Sequence, residues 1–82
     1  MRPDEIKSHL RRQPFHPIRV HVTDGSSYDV HHPDLVLVSR MEIVIGLNPT
    51  DDIPDRNVYI DPIHVARIEP IGAKRSANGR RK

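Results

Sequence analysis

Apolar and polar positions alternate over several short stretches of the chain, and this pattern predicts β-strands. Residues 18–23 alternate strictly, which is typical of a strand with one buried face. Residues 27–32 alternate again, and the intervening pair Asp24 and Gly25 is a strong hairpin signal because glycine adopts positive φ readily. Residues 35–38 are apolar on both faces, so we expect a central strand there.

The second half of the chain predicts further strands separated by turns. Pro33 cannot donate to a strand ladder, so we expect a bend or a tight loop between the second and third strands. The remaining segments read as a largely apolar strand at 42–47, a loop at 48–56, a short strand at 57–61, a single 3₁₀ turn at 62–64 and a closing strand at 65–71. Many short strands with turn signals between them favour a small barrel.

A short helix is predicted at the start of the chain. Pro3 suits the first helical turn, where its missing N–H costs nothing. Ile6 and Leu10 are four residues apart and form a narrow apolar stripe. Pro14 ends the helix, and a helix of about ten residues must pack on something to be stable.

Composition and charge place the chain among small single domains. It has 82 residues, a formal net charge of +2 and no cysteine, which excludes disulfides and thiolate metal sites. Residues 73–82 hold five bases and no acid, which leaves 8 bases and 11 acids in the other 72 residues. We therefore expect one domain at 1–72 and a disordered basic tail at 73–82. No apolar run approaches the length of a membrane span or a signal peptide, so a cytoplasmic protein is expected.

The order of these elements resembles that of the Sm-like (SH3-type) small β-barrels. The resemblance rests on the hairpin at 20–25, the strand broken at Pro33, the late strand at 58–60 and the turn at 62–64. It implies a mainly β fold, with about five bent antiparallel strands closed into a barrel and capped by the helix. The chain differs from Sm proteins where those bind RNA. It has His31-His32-Pro33-Asp34 in place of an Asp-x-x-x-Asn loop, and Asp61-Pro62 in place of an Arg-Gly pair.

A second resemblance is to a family of short bacterial proteins of unknown function. Residues 12–20 (Arg-Gln-Pro-Phe-His-Pro-Ile-Arg-Val) are similar to the Arg-Pro-Phe-x-Pro-Phe-like entry of that family. The Asp-Gly turn at 24–25, the step His32-Pro33-Asp34 and the late Ile68-Glu69-Pro70 are similar as well. This resemblance implies no activity, substrate or catalytic residue.

Metal binding is the first chemistry to weigh, because the chain has six histidines. His21, Asp29 and His31 could share one polar face and offer zinc or nickel ligands. His31 and His32 are adjacent and point to opposite faces of a strand, and no metal-type spacing is present, so surface histidines are the favoured interpretation. The loop aspartates lack the pattern of a calcium loop and read as solvated; they are Asp51, Asp52 and Asp55.

Catalysis is not expected, since no nucleophile motif or phosphate-cradling glycine pattern is present. We therefore expect a non-catalytic binding or regulatory module without a cofactor, with nucleic acid as the first partner to test. The bases that would contact it are Arg11, Arg12, Arg19, Arg40, Lys74, Arg75, Arg80, Arg81 and Lys82. Against this, aromatic residues for base stacking are scarce and residues 1–72 are net acidic. The alternative is a protein-interaction or self-assembly module, in which Val58, Tyr59 and Ile60 form the edge of a homo-oligomer.

Overall fold

The structure is a computed structural model that describes residues 1–71. The predicted tail, with Lys74, Arg75, Arg80, Arg81 and Lys82, lies outside the described residues. The elements are helix α1 (Pro3–Leu10) and strands β1 (Ile18–Val22), β2 (Ser27–Val30), β3 (Val36–Val38), β4 (Ile43–Leu47), β5 (Arg56–Ile60) and β6 (Val65–Pro70). Single 3₁₀ turns at Pro33–Leu35 and Pro62–His64 precede β3 and β6.

The strands form two antiparallel three-stranded sheets. The first sheet has the order β2-β1-β6 and the second sheet the order β3-β4-β5. A mainly β fold with an N-terminal helix is therefore confirmed, whereas the expected closed barrel of about five strands is not found: the described residues form six strands in two separate sheets. The physical reason lies at Pro33, which opens a 3₁₀ turn and divides the expected bent strand into β2 and β3, one in each sheet.

The hairpin between β1 and β2 has the turn that the sequence predicts. The amide of Gly25 donates to the Val22 carbonyl at 2.9 Å, and the Val22 amide donates to the Ser26 carbonyl at 2.9 Å. Gly25 has a φ of 94°, which L-residues with a side chain rarely adopt. The Asp24 carboxylate accepts a hydrogen bond from the Ser26 amide at 2.9 Å, which stabilises the turn.

Residues 35–38, expected to form a central strand, form the edge strand β3 instead. β3 is three residues long and pairs only with β4 within the described residues, so β4 is the central strand of its sheet. Leu37, in the middle of β3, is 65% exposed. The apolar pattern on both faces therefore corresponds to one face in the core and one face open to solvent.

The core lies between the two sheets and under the helix. Its buried side chains are all aliphatic: Ile6, Ile18, Val20, Val30, Ile43, Ile45, Ile60 and Val65. The ammonium of Met1 donates to the carbonyls of Pro62 at 3.0 Å and Val65 at 3.1 Å, which fixes the start of α1 against the 3₁₀ turn before β6. Within residues 1–71, no helix is long and apolar enough to cross a membrane.

Candidate functional site

Four of the bases expected to contact nucleic acid lie within residues 1–71, on three elements of the chain. Arg11 and Arg12 follow the end of α1, where cations compensate the helix dipole. Arg40 is exposed in the turn between β3 and β4, and Arg19 lies on β1 in the first sheet.

The guanidinium of Arg19 forms an ion pair with the carboxylate of Asp29. Its Nε donates to Oδ1 of Asp29 at 2.7 Å and its Nη2 donates to Oδ2 at 3.2 Å, a two-point contact between directly opposite residues of β1 and β2. The hydrogen bond from Arg19 holds the pKa of Asp29 below its ordinary value, and the same pair raises the pKa of Arg19. Asp29 takes two of the five N–H donors of the Arg19 guanidinium and neutralises its charge, which weakens its attraction for a phosphate.

The neighbouring polar pair involves His21, one of the three side chains that were weighed above as metal ligands and not favoured. His21 contacts the carboxylate of Glu69 on β6 through Nε2, and this contact is the main cause that lowers the pKa of Glu69. Asp29 faces Arg19 instead of His21. Within the described residues, no group of three His, Asp or Glu side chains could hold a metal ion.

The loop between β4 and β5 is an ordered turn. Thr50 and Ile53 exchange two backbone hydrogen bonds, at 2.9 and 3.0 Å. Asp51 and Asp52 between them both have positive φ, 54° and 65°, a conformation that aspartate tolerates better than most residues. These aspartates are exposed and serve the turn geometry.

The expected oligomer edge is an open sheet edge in the described residues. β5 pairs with β4 on one side only, so its other side presents backbone groups without a strand partner. Ile60 is 8% exposed and belongs to the core, and Val58 is half-buried beside it. Tyr59, by contrast, is 63% exposed on the opposite face.

Tyr59 continues a line of apolar side chains across the outer face of the second sheet. Leu37 is opposite Val44 in the β3–β4 pair, and Val44 is opposite Tyr59 in the β4–β5 pair. Directly opposite residues share a face, so these three side chains form one line, which we call the apolar row. Sequence reasoning found Tyr59 and missed Leu37 and Val44, because only strand register places them beside it.

A cavity of about 410 Å³ lies between the edge of β5 and the hairpin turn of the first sheet. We call it the edge cleft. Its lining includes the apolar residues Val22, Tyr28 and Val58. Four consecutive residues, 58–61, line one side, so the cleft follows the open edge of the strand.

The polar residues of the edge cleft give it an acidic character. Asp24 comes from the hairpin turn and Asp61 from the end of β5, and His64 also lines the cavity. Hydrogen bonds from Ser26 hold the pKa of Asp24 below its ordinary value, so this carboxylate is charged at neutral pH. The cleft therefore combines an open strand edge, apolar residues and two acids, which suits an extended segment that carries a base.

The apolar row and the edge cleft meet at β5. Both therefore lie beside a strand edge that has no strand partner within residues 1–71. No family model, no curated protein and no solved structure matches this chain.

Proposed function

We propose that the protein is a non-catalytic interaction module that self-associates through β5. The observation that carries the proposal is the apolar row, in which Leu37 is 65% and Tyr59 is 63% exposed at the side of an unpaired strand. Open edges and apolar sheet faces are usually covered in stable proteins. Pairing with β5 of a second copy gives the open edge a strand partner and brings the exposed Tyr59 side chains of the two copies together.

Two-fold symmetry lets the same strand edge of both copies form the interface. Two β5 strands can pair antiparallel about an axis perpendicular to the sheet, so each outer face stays an outer face. The apolar row of one copy then runs into the apolar row of the other, across a sheet of six strands. The core of residues 1–71, with eight buried aliphatic side chains, is small, and association is one of the ways in which domains of this size gain stability.

The test is the mass of the full chain in solution, measured by sedimentation equilibrium over a range of concentrations. We expect a monomer–dimer equilibrium for the natural protein. Tyr59→Lys puts a charge in the centre of the interface and is expected to give a monomer. Ile53→Lys is the matched control: Ile53 is 71% exposed at the tip of the loop, away from the apolar row, and its variant should dimerise like the natural protein. A monomer for the natural protein at every concentration, or an unchanged dimer for Tyr59→Lys, contradicts the proposal.

Nucleic-acid binding is a second candidate, supported by the five bases among residues 73–82. If these bases form a non-specific contact, affinity for a labelled oligonucleotide should fall steeply with salt. A full-length variant with all five bases changed to glutamine should lose that binding, while Arg19→Gln should keep it because Arg19 is held by Asp29. Binding that survives the tail substitutions would refute the assignment to the tail.

The Sm-like architecture is also retained as a proposal at the level of chain topology. β2 and β3 are consecutive, joined by one turn, and pair with β1 and β4 respectively, as the two halves of a bent strand would. This supports a chain topology similar to that of the Sm-like small barrels, with the bent strand divided into β2 and β3.

A further inference from the structure

We propose that the edge cleft is the socket for β5 of a second copy, and that Arg56 of that copy pairs with the acids Asp24 and Asp61. The inference rests on the proposed self-association and goes further, because it names the register and the charged contact that select the partner. Its evidence is the strand register, the alternation of faces along β5 and the charges that line the cleft.

The two-fold axis can pass through Val58, Tyr59 or Ile60, and each choice gives a different register between the two β5 strands. Two of these three registers place incompatible residues opposite each other. In a two-fold antiparallel pair one residue lies opposite itself, and the residues on either side follow. A centre at Val58 places Asp55 opposite Asp61 of the second copy, which sets two like charges against each other. A centre at Ile60 places Pro62 opposite Val58, and proline has no N–H to donate to the ladder.

A centre at Tyr59 keeps Asp55 and Asp61 apart and moves Pro62 to the end of the paired segment, opposite Arg56, where the ladder stops and no N–H is needed. It places Tyr59 opposite itself on the outer face, where aromatic pairs are favourable. It places Asn57 opposite Asp61, an amide against a carboxylate, and Val58 opposite Ile60 on the inner face. This register also joins the two apolar rows directly.

The same register brings Arg56 to the acidic end of the cleft. Arg56 of the second copy lies opposite Pro62, one position beyond Asp61. Side chains alternate along a strand, so Arg56 shares the face of Val58 and Ile60, which is the face directed toward the first sheet and the hairpin turn. Thr23 of that turn donates its amide to the carbonyl of His64 at 2.8 Å, which keeps the turn beside the end of β5.

The charges on the two sides are complementary. Arg56 forms no ion pair within residues 1–71. Within the same residues, only Oδ1 of Asp24 and only Oδ1 of Asp61 accept hydrogen bonds, from Ser26 and from the amide of Ile63. The second oxygen of each carboxylate is therefore left for a guanidinium, whose fork of donors matches carboxylate oxygens.

The experiment uses charge reversal in the full chain, with the dissociation constant measured by sedimentation equilibrium. Arg56→Asp sets acid against acid at both ends of the interface, and Asp24→Arg sets base against base. Each variant alone is expected to weaken dimerisation by about tenfold or more, since like charges placed together at an interface are strongly unfavourable. An equimolar mixture should restore a dimer, because in the mixed pair each rim again meets a base with an acid.

Two controls separate this contact from general effects. Arg40→Asp makes the same change of charge in the turn between β3 and β4 and should leave dimerisation unchanged. Asp24→Asn keeps an acceptor for Ser26 and so preserves the hairpin turn, and it should weaken dimerisation several-fold through lost charge alone.

The outcomes distinguish the two proposals. If the natural protein is a monomer at every concentration, self-association itself is wrong. If it dimerises but Arg56→Asp dimerises equally well, or the mixture fails to restore the dimer, the socket is wrong while self-association stands. Closed assemblies larger than a dimer would overturn the two-fold register.

Discussion

Gly46, near the end of β4, has no room for a methyl group, and this makes Gly46→Ala the most direct test of the packing. A Cβ placed on Gly46 would lie 2.9 Å from Cβ and 3.1 Å from Cγ of Pro54. The first distance is about 0.5 Å short of ordinary contact. Pro54 cannot simply swing away, because its ring is part of the backbone and the next residue, Asp55, donates its amide to the Leu47 carbonyl at 2.9 Å.

The magnitude follows from two opposing effects. Overpacking of this kind costs about 1–3 kcal/mol. Replacing glycine by alanine also restricts the unfolded chain, which offsets about 0.4–1 kcal/mol. We therefore expect Gly46→Ala to lower the free energy of unfolding by about 1–2 kcal/mol.

Urea unfolding followed by circular dichroism measures this difference, at one fixed protein concentration because association adds to apparent stability. Pro54→Gly removes the atoms that the new methyl group would meet. In a double-mutant cycle the cost of Gly46→Ala should therefore shrink in the Pro54→Gly background. A Gly46→Ala protein as stable as the natural one, or a cycle with additive effects, would refute the reasoning.

Three further substitutions test the turn, the core and the ion pair. Gly25→Ala forces alanine to a φ of 94° and should cost about 1–2 kcal/mol in the same urea assay, and an unchanged midpoint would contradict the assigned turn. Ile45→Ala truncates a side chain that is 0% exposed and should cost about 2–5 kcal/mol in that assay, and a smaller loss would show that the core is loosely packed. The hydrogen bond from Arg19 lowers the pKa of Asp29 in the folded state, so this ion pair stabilises the fold at pH values above the unfolded-state pKa of about 4. The contribution is lost as the pH falls through the lower folded-state pKa. Arg19→Gln removes the ion pair and with it this pH-dependent contribution. Both side chains are 40% exposed, so a difference of only about 0.5–1 kcal/mol is expected between the two proteins near pH 7, shrinking below pH 4, and a difference that does not shrink would exclude the ion pair as its source.

Features determined by adjacent residues were predictable from the sequence. The hairpin at Asp24 and Gly25 follows from the conformational freedom of glycine, and the 3₁₀ turn Pro62–His64 begins with the proline that indicated it. The interruption at Pro33 was predicted as well, because a missing N–H is a local property.

Features that depend on the choice of strand partner were not predictable. The apolar pattern around Leu37 is the same for a central strand and for an edge strand with an apolar outer face, and only the pairing with β4 decides between them. Asp24 was read as a turn former, and its place in the edge cleft depends on the approach of β5 from a distant part of the chain. Arg19 offered a usable signal, since the tight turn sets a register that places Asp29 directly opposite.

The two 3₁₀ turns have a consequence for how the molecule unfolds. The chain crosses from the first sheet to the second at Pro33–Leu35 and returns at Pro62–His64, so the second sheet is one continuous piece of chain and the first sheet is not. The first sheet takes β6 from beyond the second, and it cannot be completed until the intervening strands have brought the chain back. Each sheet contains one of the two tyrosines, Tyr28 in the first and Tyr59 in the second. Because the two sheets also share one buried core, the two tyrosines should lose their native environments in a single cooperative transition.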